Sequence, residues 1–230
     1  MPQMDGLGGG ATMANHPGPG SGNLSGDDHG GDDTQTDLEG GSGDDTLTGD
    51  DHGDVIHGQD GDDSVIGGSA HDAINGMAGA DTADGGAGDD WVLGGKGDDS
   101  LAGGDGADLV NGNIGNDTAD GGVGDDTVHG GQGADSLSGG AGNDWISGDK
   151  GDDTMEGGAG ADTFNVFAGG GNDVIVDFNA AEGDRLHVEG DVPYTVAQVG
   201  ADVVVTLVGH ESVTLQHVDL ATLPHDWIVH

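Results

Sequence analysis

An apolar side chain returns at every ninth position from Leu47 to Phe164, by way of Ile56, Val65, Ile74, Ala83, Val92, Leu101, Val110, Ala119, Val128, Leu137, Ile146 and Met155. The residues between are mostly polar or glycine. Neither a helical period nor simple alternation gives a nine-residue beat. A fixed period of this kind is the mark of a solenoid, in which each repeat is one structural unit. Divided at its glycines, the stretch 40–165 is fourteen consecutive nonapeptides without an insertion, from GGSGDDTLT to GGAGADTFN. The first position is Gly and the sixth Asp in all fourteen. The fourth is Gly in twelve, with His52 and Ala70 as the exceptions.

Six positions of the unit favour turns and the last three favour a strand, being rich in Thr, Val, Ile and Leu. One unit therefore reverses the chain, and two complete a coil of 18 residues with two short strands. Seven coils stacked at about 4.8 Å make a roll roughly 34 Å long. Stacking sets alternate repeats above one another. One edge then carries Asp45, Asp63, Asp81, Asp99, Asp117, Asp135 and Asp153, and the other Asp54, Asp72, Asp90, Asp108, Asp126, Asp144 and Asp162. Adjacent carboxylates one coil apart repel by about 1 kcal/mol in water and about 3–4 kcal/mol at an effective dielectric near 20. A hard divalent cation between them reverses the sign. Carboxylates and turn carbonyls form an all-oxygen set, which suits Ca²⁺ better than zinc or copper.

Charge sharpens this picture. Forty-five acidic residues face three basic ones, Lys96, Lys150 and Arg185, for a net charge of −42. Nucleic acid is excluded as a natural partner, because phosphate binding needs Lys and Arg. The metal-free chain is expected to be expanded and largely disordered. About twelve inter-loop cations would bring the formal charge to about −18. The fourteen inward apolar side chains are too few to offset the ordering of the 126 residues of the repeats, so metal binding is expected to be coupled to folding. There is no cysteine, hence no disulfide. No Sec-type signal peptide is visible at the N-terminus. No apolar run approaches the roughly 18–20 residues that span a bilayer.

The unit G-G-x-G-x-D-x-U-x, with U apolar, resembles the calcium-binding nonapeptide of the RTX, or hemolysin-type, family across residues 40–165. The resemblance implies an all-β fold: a parallel β-roll, or β-solenoid, of about seven 18-residue coils with a C-terminal β cap. It implies multiple Ca²⁺ ions, up to about twelve, held by the aspartates named above together with Asp173. Asp173 and Ile175 fill the sixth and eighth places of a shifted fifteenth repeat, after a slip at Val166 and Phe167. The segment GNDVIVDF and the residues after it resemble the post-repeat region of RTX exoproteins. Asp226-Trp227-Ile228-Val229 resembles the acidic-then-apolar C-terminal motif of type I secretion substrates, with one extra His following. Export by a type I machinery, unfolded, with folding outside the cell at millimolar calcium, is what this implies.

The expected organisation is a Gly/Pro-rich leader at 1–30, the roll at 31–176 and a strand-rich cap at 177–230. Residues 31–39 read as a degenerate first repeat with Leu38 in phase. The runs RLHVEG, YTVAQVG, DVVVTLVG and SVTLQHV read as cap strands, with a hairpin near Gly209. The site between the repeats that begin at Gly49 and Gly67 is expected to be the weakest or empty, as both lack the fourth-position Gly. His52 and His71 could add a transition-metal ligand there, although solvated surface histidine is the simpler reading.

The seventh positions should face outward. On one sheet they form a hydroxyl ladder: Thr46, Ser64, Thr82, Ser100, Thr118, Ser136 and Thr154. On the other they read Val55, Ala73, Trp91, Leu109, Thr127, Trp145 and Thr163. That second face either packs against a flanking segment or serves a glycan, a cell surface or a second copy. No H-E-x-x-H and no G-x-S-x-G is present, and the repeat itself accounts for the aspartate pairs. A non-enzymatic calcium-binding protein is therefore expected. An adhesive module using the tryptophan face, or the repeat tail of a secreted hydrolase, is the alternative.

Overall fold

The computed structural model describes residues 23–25, 37–209 and 211–230. Most of the leader expected at 1–30, and residues 31–36 of the degenerate repeat, lie outside the described residues.

The repeats wind into a parallel roll of two sheets facing each other, with partners 18 residues apart, as in Val92↔Val110 and Leu101↔Ala119. The sheet bearing the hydroxyl ladder has twelve strands among the described residues, and the sheet bearing Trp91 and Trp145 has ten. They are called the hydroxyl sheet and the tryptophan sheet below. The parallel ladder runs through about eight turns, beyond the seven expected. It gains half a coil at each end: Leu38 pairs with Ile56 before the first full repeat, and Ile175 pairs with Met155 after the last.

Strands are longer than the repeat suggests. A typical one, Trp91–Lys96, spans six residues: the last three of one unit and the first three of the next, Gly-Gly included. Only three residues are left for each turn. Strand propensity disfavours Gly. Here the inter-coil hydrogen bonds, and the space that glycine leaves for the aspartate beneath it, override that preference. Along Trp91–Lys96 burial alternates so that Val92 and Gly94 face inward. The core is accordingly narrow, one apolar side chain per strand, and Leu47, Ile56, Val92, Val110, Ile146 and Phe164 are fully buried.

Fourth-position glycine is fixed by close approach of the coils. Gly97 has φ +122°, and a Cβ there would overlap the carbonyl oxygen of Gly79 in the coil before. The two exceptions, His52 and Ala70, occupy the first places of the other edge column, and neither takes a positive φ.

The ladder does not stop at residue 177. Arg185–Val188 continues the tryptophan sheet in parallel with Thr163–Val166, and Ile228–Val229 closes it. The hydroxyl sheet ends on an antiparallel meander: Ser212–Leu215 joins Asn172–Ile175, followed by Asp202–Leu207 and Tyr194–Val199. Phe178 packs into the closing end of the tryptophan sheet, with its ring 6.0 Å from Phe164 and 5.9 Å from Trp227.

Candidate metal centre

Each turn places its sixth-position aspartate inward at the sheet edge, where the side chain is almost wholly excluded from solvent. The two carboxylate oxygens have different tasks. Oδ1 accepts the backbone N–H of the aspartate one coil earlier. On the first edge Asp45 N–H donates to Asp63 at 2.8 Å, and the chain runs through Asp81, Asp99, Asp117, Asp135 and Asp153 to Asp173, where the bond is 3.2 Å. On the second edge Asp54 N–H donates to Asp72 at 2.7 Å, and the chain runs through Asp90, Asp108, Asp126 and Asp144 to Asp162. All fifteen aspartates expected as ligands thus fall into two unbroken ladders.

The second ladder has a further member beyond the fifteen expected aspartates. Asp162 N–H donates to Asp184 Oδ1 at 3.1 Å. Gly183-Asp184-Arg185-Leu186 keeps the G-D-x-U spacing of the repeat, and this was the available signal. The longer loop before it, 22 residues from Asp162, hid the phase. Asp184 also ends the column. Every earlier sixth-position carbonyl accepts an N–H from the next coil, as Asp162 does from Arg185 at 2.8 Å. Arg185 itself then donates from Nη1 to the carbonyls of Gly183 at 3.0 Å and Asp184 at 2.8 Å.

Oδ2 is the chemically telling atom. In Asp63, Asp72, Asp81, Asp90, Asp99, Asp108, Asp117, Asp126, Asp135, Asp144, Asp153 and Asp162 it is buried with no hydrogen-bond partner. A buried carboxylate oxygen left unpaired is costly. The terminal positions differ: Asp54 Oδ2 accepts from Asp50 N–H at 2.9 Å, and Asp184 Oδ2 from Asn179 N–H at 2.7 Å. Each interior Oδ2 lies against the first-position glycine of its own unit, so that a Cβ at Gly94 would overlap Asp99 Oδ2. The invariant glycine is the space the carboxylate occupies.

Burial drives the protonation equilibria upward. Loss of solvent, opposed by the backbone hydrogen bond and reinforced by neighbouring carboxylates, pushes Asp99 and Asp153 up to about 7. The same causes push Asp63, Asp72, Asp126 and Asp135 to about 6. A cation is the partner that satisfies Oδ2 and lets these groups ionise together. The residues fit a hard divalent ion. No three His, Cys, Asp or Glu side chains converge among the described residues, so carboxylates alone do not make a shell. Sixth-position aspartates would hold the ion with turn carbonyls completing the shell, as calcium accepts and zinc does not. The ion would bridge coils and neutralise the edge.

Fifth positions supply a second tie, running the other way, that the sequence reading did not contain. Asp62 Oδ1 accepts from Ala80 N–H at 2.8 Å, and Asp125 Oδ1 from Asn143 N–H at 2.8 Å. The turn between Asp50 and Asp54 keeps its sixth-position bond despite His52, and the Nδ1 of His52 lies 2.9 Å from Asp50 Oδ1. His71 instead stands edge-on to Trp91, ring centroids 5.6 Å apart, with its Nδ1 on the carbonyl of Asp89. The two imidazoles thus turn Nδ1 to different partners, Asp50 and Asp89.

Both outer faces have the composition expected of them. The hydroxyl ladder is exposed throughout. On the tryptophan sheet Trp91 is 55% exposed, while Trp145 is half-buried with its ring 5.1 Å from that of His187.

Fold and site define a calcium-binding parallel β-roll. Residues 29–65, 66–101, 93–128, 102–137 and 129–164 match the model of the RTX calcium-binding nonapeptide repeat, and the chain belongs to that family. Among solved structures it is similar to the AlgE6R3 subunit of the mannuronan C5-epimerase of Azotobacter vinelandii, with 28% identity and a TM-score of 0.39 over 54% of this chain and 79% of that one. It is similar to the AlgE6R2 subunit of the same enzyme, with 26% identity and a TM-score of 0.33 over 60% of this chain and 91% of that one. It also resembles the extracellular lipase LipA of Serratia marcescens, with 22% identity and a TM-score of 0.33 over 82% of this chain but 40% of the lipase. No curated protein matched the chain. Among the described residues no helix is long and apolar enough to cross a membrane.

Proposed function

We propose that the protein is a secreted, non-enzymatic calcium-binding roll, exported unfolded through a type I machinery and folded outside the cell by several Ca²⁺ ions, up to about twelve. One observation carries this reading: the buried, partnerless Oδ2 atoms repeated along both edges. Folding without a cation would bury them unpaired, so the metal belongs to the folded state rather than decorating it. Low cytosolic calcium leaves the chain open, and high external calcium closes it.

The C-terminus supports the order of events. Trp227 is buried, and Ile228–Val229 is paired with Leu186 and His187. A receptor can read those residues only before the roll closes. The second reading, an adhesive surface module, draws on Trp91, whose ring stands largely in solvent.

The test is far-UV circular dichroism during a calcium titration, with magnesium as control, alongside an export assay of the chain with and without residues 226–230. A cooperative gain of β signal with calcium alone, and loss of export on truncation, is the expected result. A chain that folds in chelator sinks the calcium-folding reading. Export indifferent to the truncation sinks the type I reading.

A further inference from the structure

The two outer faces are built to different rules. The second position of each unit is Gly along the hydroxyl sheet at Gly68, Gly86, Gly104, Gly122, Gly140 and Gly158, with Asp50, just past strand Thr46–Thr48, as the one exception among them. The matching column of the tryptophan sheet reads Gln59, Met77, Gly95, Asn113, Gly131 and Asp149. Its non-glycine members all sit in the left-handed region, with φ of 84°, 77°, 73° and 65°. The backbone at this position asks for glycine, so Gln59 and Met77 carry strain there and Asn113 and Asp149, which accept the left-handed region more readily, carry less; side chains kept against that preference point to a use.

Two of these four positions, Asn113 and Asp149, border one concavity of the face. Asn111, Asn113, Gly131, Gln132, Asp149, Lys150 and Phe167 line a shallow notch of about 290 Å³. Its polar groups are pre-positioned. Asn111 Oδ1 accepts from Asn113 N–H at 2.9 Å. Ser147 Oγ donates to Asp149 Oδ1 at 2.8 Å, and His129 Nδ1 lies 3.0 Å from Asp149 Oδ2. The row continues along the roll: Asn165 Nδ2 donates to Ser147 Oγ at 3.3 Å, and His187 Nδ1 lies 2.7 Å from Asn165 Oδ1. Trp145 stands beside this row, against His187.

Charge limits the occupant. All three basic residues of the chain, Lys96, Lys150 and Arg185, lie on strands of this sheet, while the hydroxyl sheet exposes Asp84, Asp120 and Glu156. Set against Asp37, Glu39, Asp60 and Asp149 on the same strands, these cations leave the tryptophan sheet less anionic than the hydroxyl sheet. The field of the whole chain repels an anionic polymer. The open, polar lining does not suit an enclosed apolar small molecule. Side-by-side amides, a carboxylate and imidazoles with flat aromatic rings suit the hydroxyls and apolar ring faces of a sugar. Asn113 and Asp149 are two strands apart, about 9.6 Å. The strand spacing is close to the advance of a pyranose unit along an extended glycan.

We propose that the outer face of the tryptophan sheet, centred on the notch between Asn113 and Asp149, binds a neutral polysaccharide laid along the roll axis. The proposal gives the surface-module reading its ligand chemistry. It needs the folded roll but not the export route.

The test is affinity electrophoresis of the calcium-loaded full chain through gels containing galactomannan, glucomannan, hydroxyethyl cellulose or dextran, with polygalacturonate as the anionic control. Retardation by at least one neutral polymer and none by polygalacturonate is expected. The Asn113→Gly/Asp149→Gly variant restores the residue the backbone prefers, so its calcium-dependent circular dichroism should match the parent while retardation weakens by about tenfold or more. Trp145→Thr, the residue at the neighbouring positions 127 and 163, should weaken it as well. Retardation by no neutral polymer, equal retardation by polygalacturonate, or retardation unchanged in the double glycine variant each overturns the proposal. Folding is read separately in the same samples, so failure here is distinct from failure of the calcium reading.

Discussion

Asp99 accepts the backbone N–H of Asp81 through Oδ1 at 2.8 Å while its Oδ2 stays buried and unpaired. One carboxylate thereby does two jobs. One oxygen ties coil to coil in protein alone, and the other waits for a positive partner. The pair repeats along both edges, so a change at one aspartate tests the whole device.

Asp99→Asn keeps an oxygen for the Asp81 N–H and removes the charge. It should lower the calcium stoichiometry in calorimetry and raise the calcium midpoint of folding. Asp99→Ala also orphans the Asp81 N–H and should destabilise the calcium form by about 1–3 kcal/mol more than Asn does. Identical stoichiometry in both variants and the parent would remove Asp99 from the metal shell.

Acid should substitute for calcium in part. Asp99 and Asp153 rise from the ordinary 3.8 to about 7, chiefly through burial. A carboxyl raised in the folded state favours the fold below its unfolded value, and loses that contribution as pH climbs through its folded value. The metal-free chain should therefore gain β signal on acidification from pH 8 to 5. Calcium must displace those protons, so its midpoint should rise as pH falls through 7 to 6. Circular dichroism in chelator, and calcium titrations at each pH, read the two effects.

Gly97→Ala should be far worse than a glycine replacement in open space. Its Cβ would strike the Gly79 carbonyl, and its φ of +122° resists a side chain. A loss of more than about 2 kcal/mol is expected, because strain and overlap add. Gly200→Ala is the control: φ is +67° and nothing lies within 4 Å, so strain alone should cost about 1 kcal/mol. Urea unfolding in saturating calcium compares them.

Arg185→Gln should loosen the closing end of the roll. It removes the charged donor from the Gly183 and Asp184 carbonyls and from Asp226, 3.7 Å away. A destabilisation of about 1–2 kcal/mol is expected in the calcium form. Hydrogen exchange should rise first at Leu186 and Ile228, the pair that Arg185 borders.

The nine-residue beat by itself determined the coil, the inward apolar column and the two aspartate edges. Each depends only on residue type at a fixed spacing, and stacking multiplies a local rule into a global one. Asp173 was legible for the same reason, because D-x-U survives a two-residue slip. Asp184 was not, because a longer loop precedes it and only the ladder bond from Asp162 reveals its place. Strand length does not follow from propensity: Gly94 and Gly95 lie within Trp91–Lys96 because inter-coil hydrogen bonds, not intrinsic preference, decide that backbone. Which carboxylate oxygen ties coils and which stays unpaired, and which sheet keeps side chains at strained positions, depend on contacts 18 residues apart. Sequence names those residues, but only the stacked coils bring them within hydrogen-bonding distance.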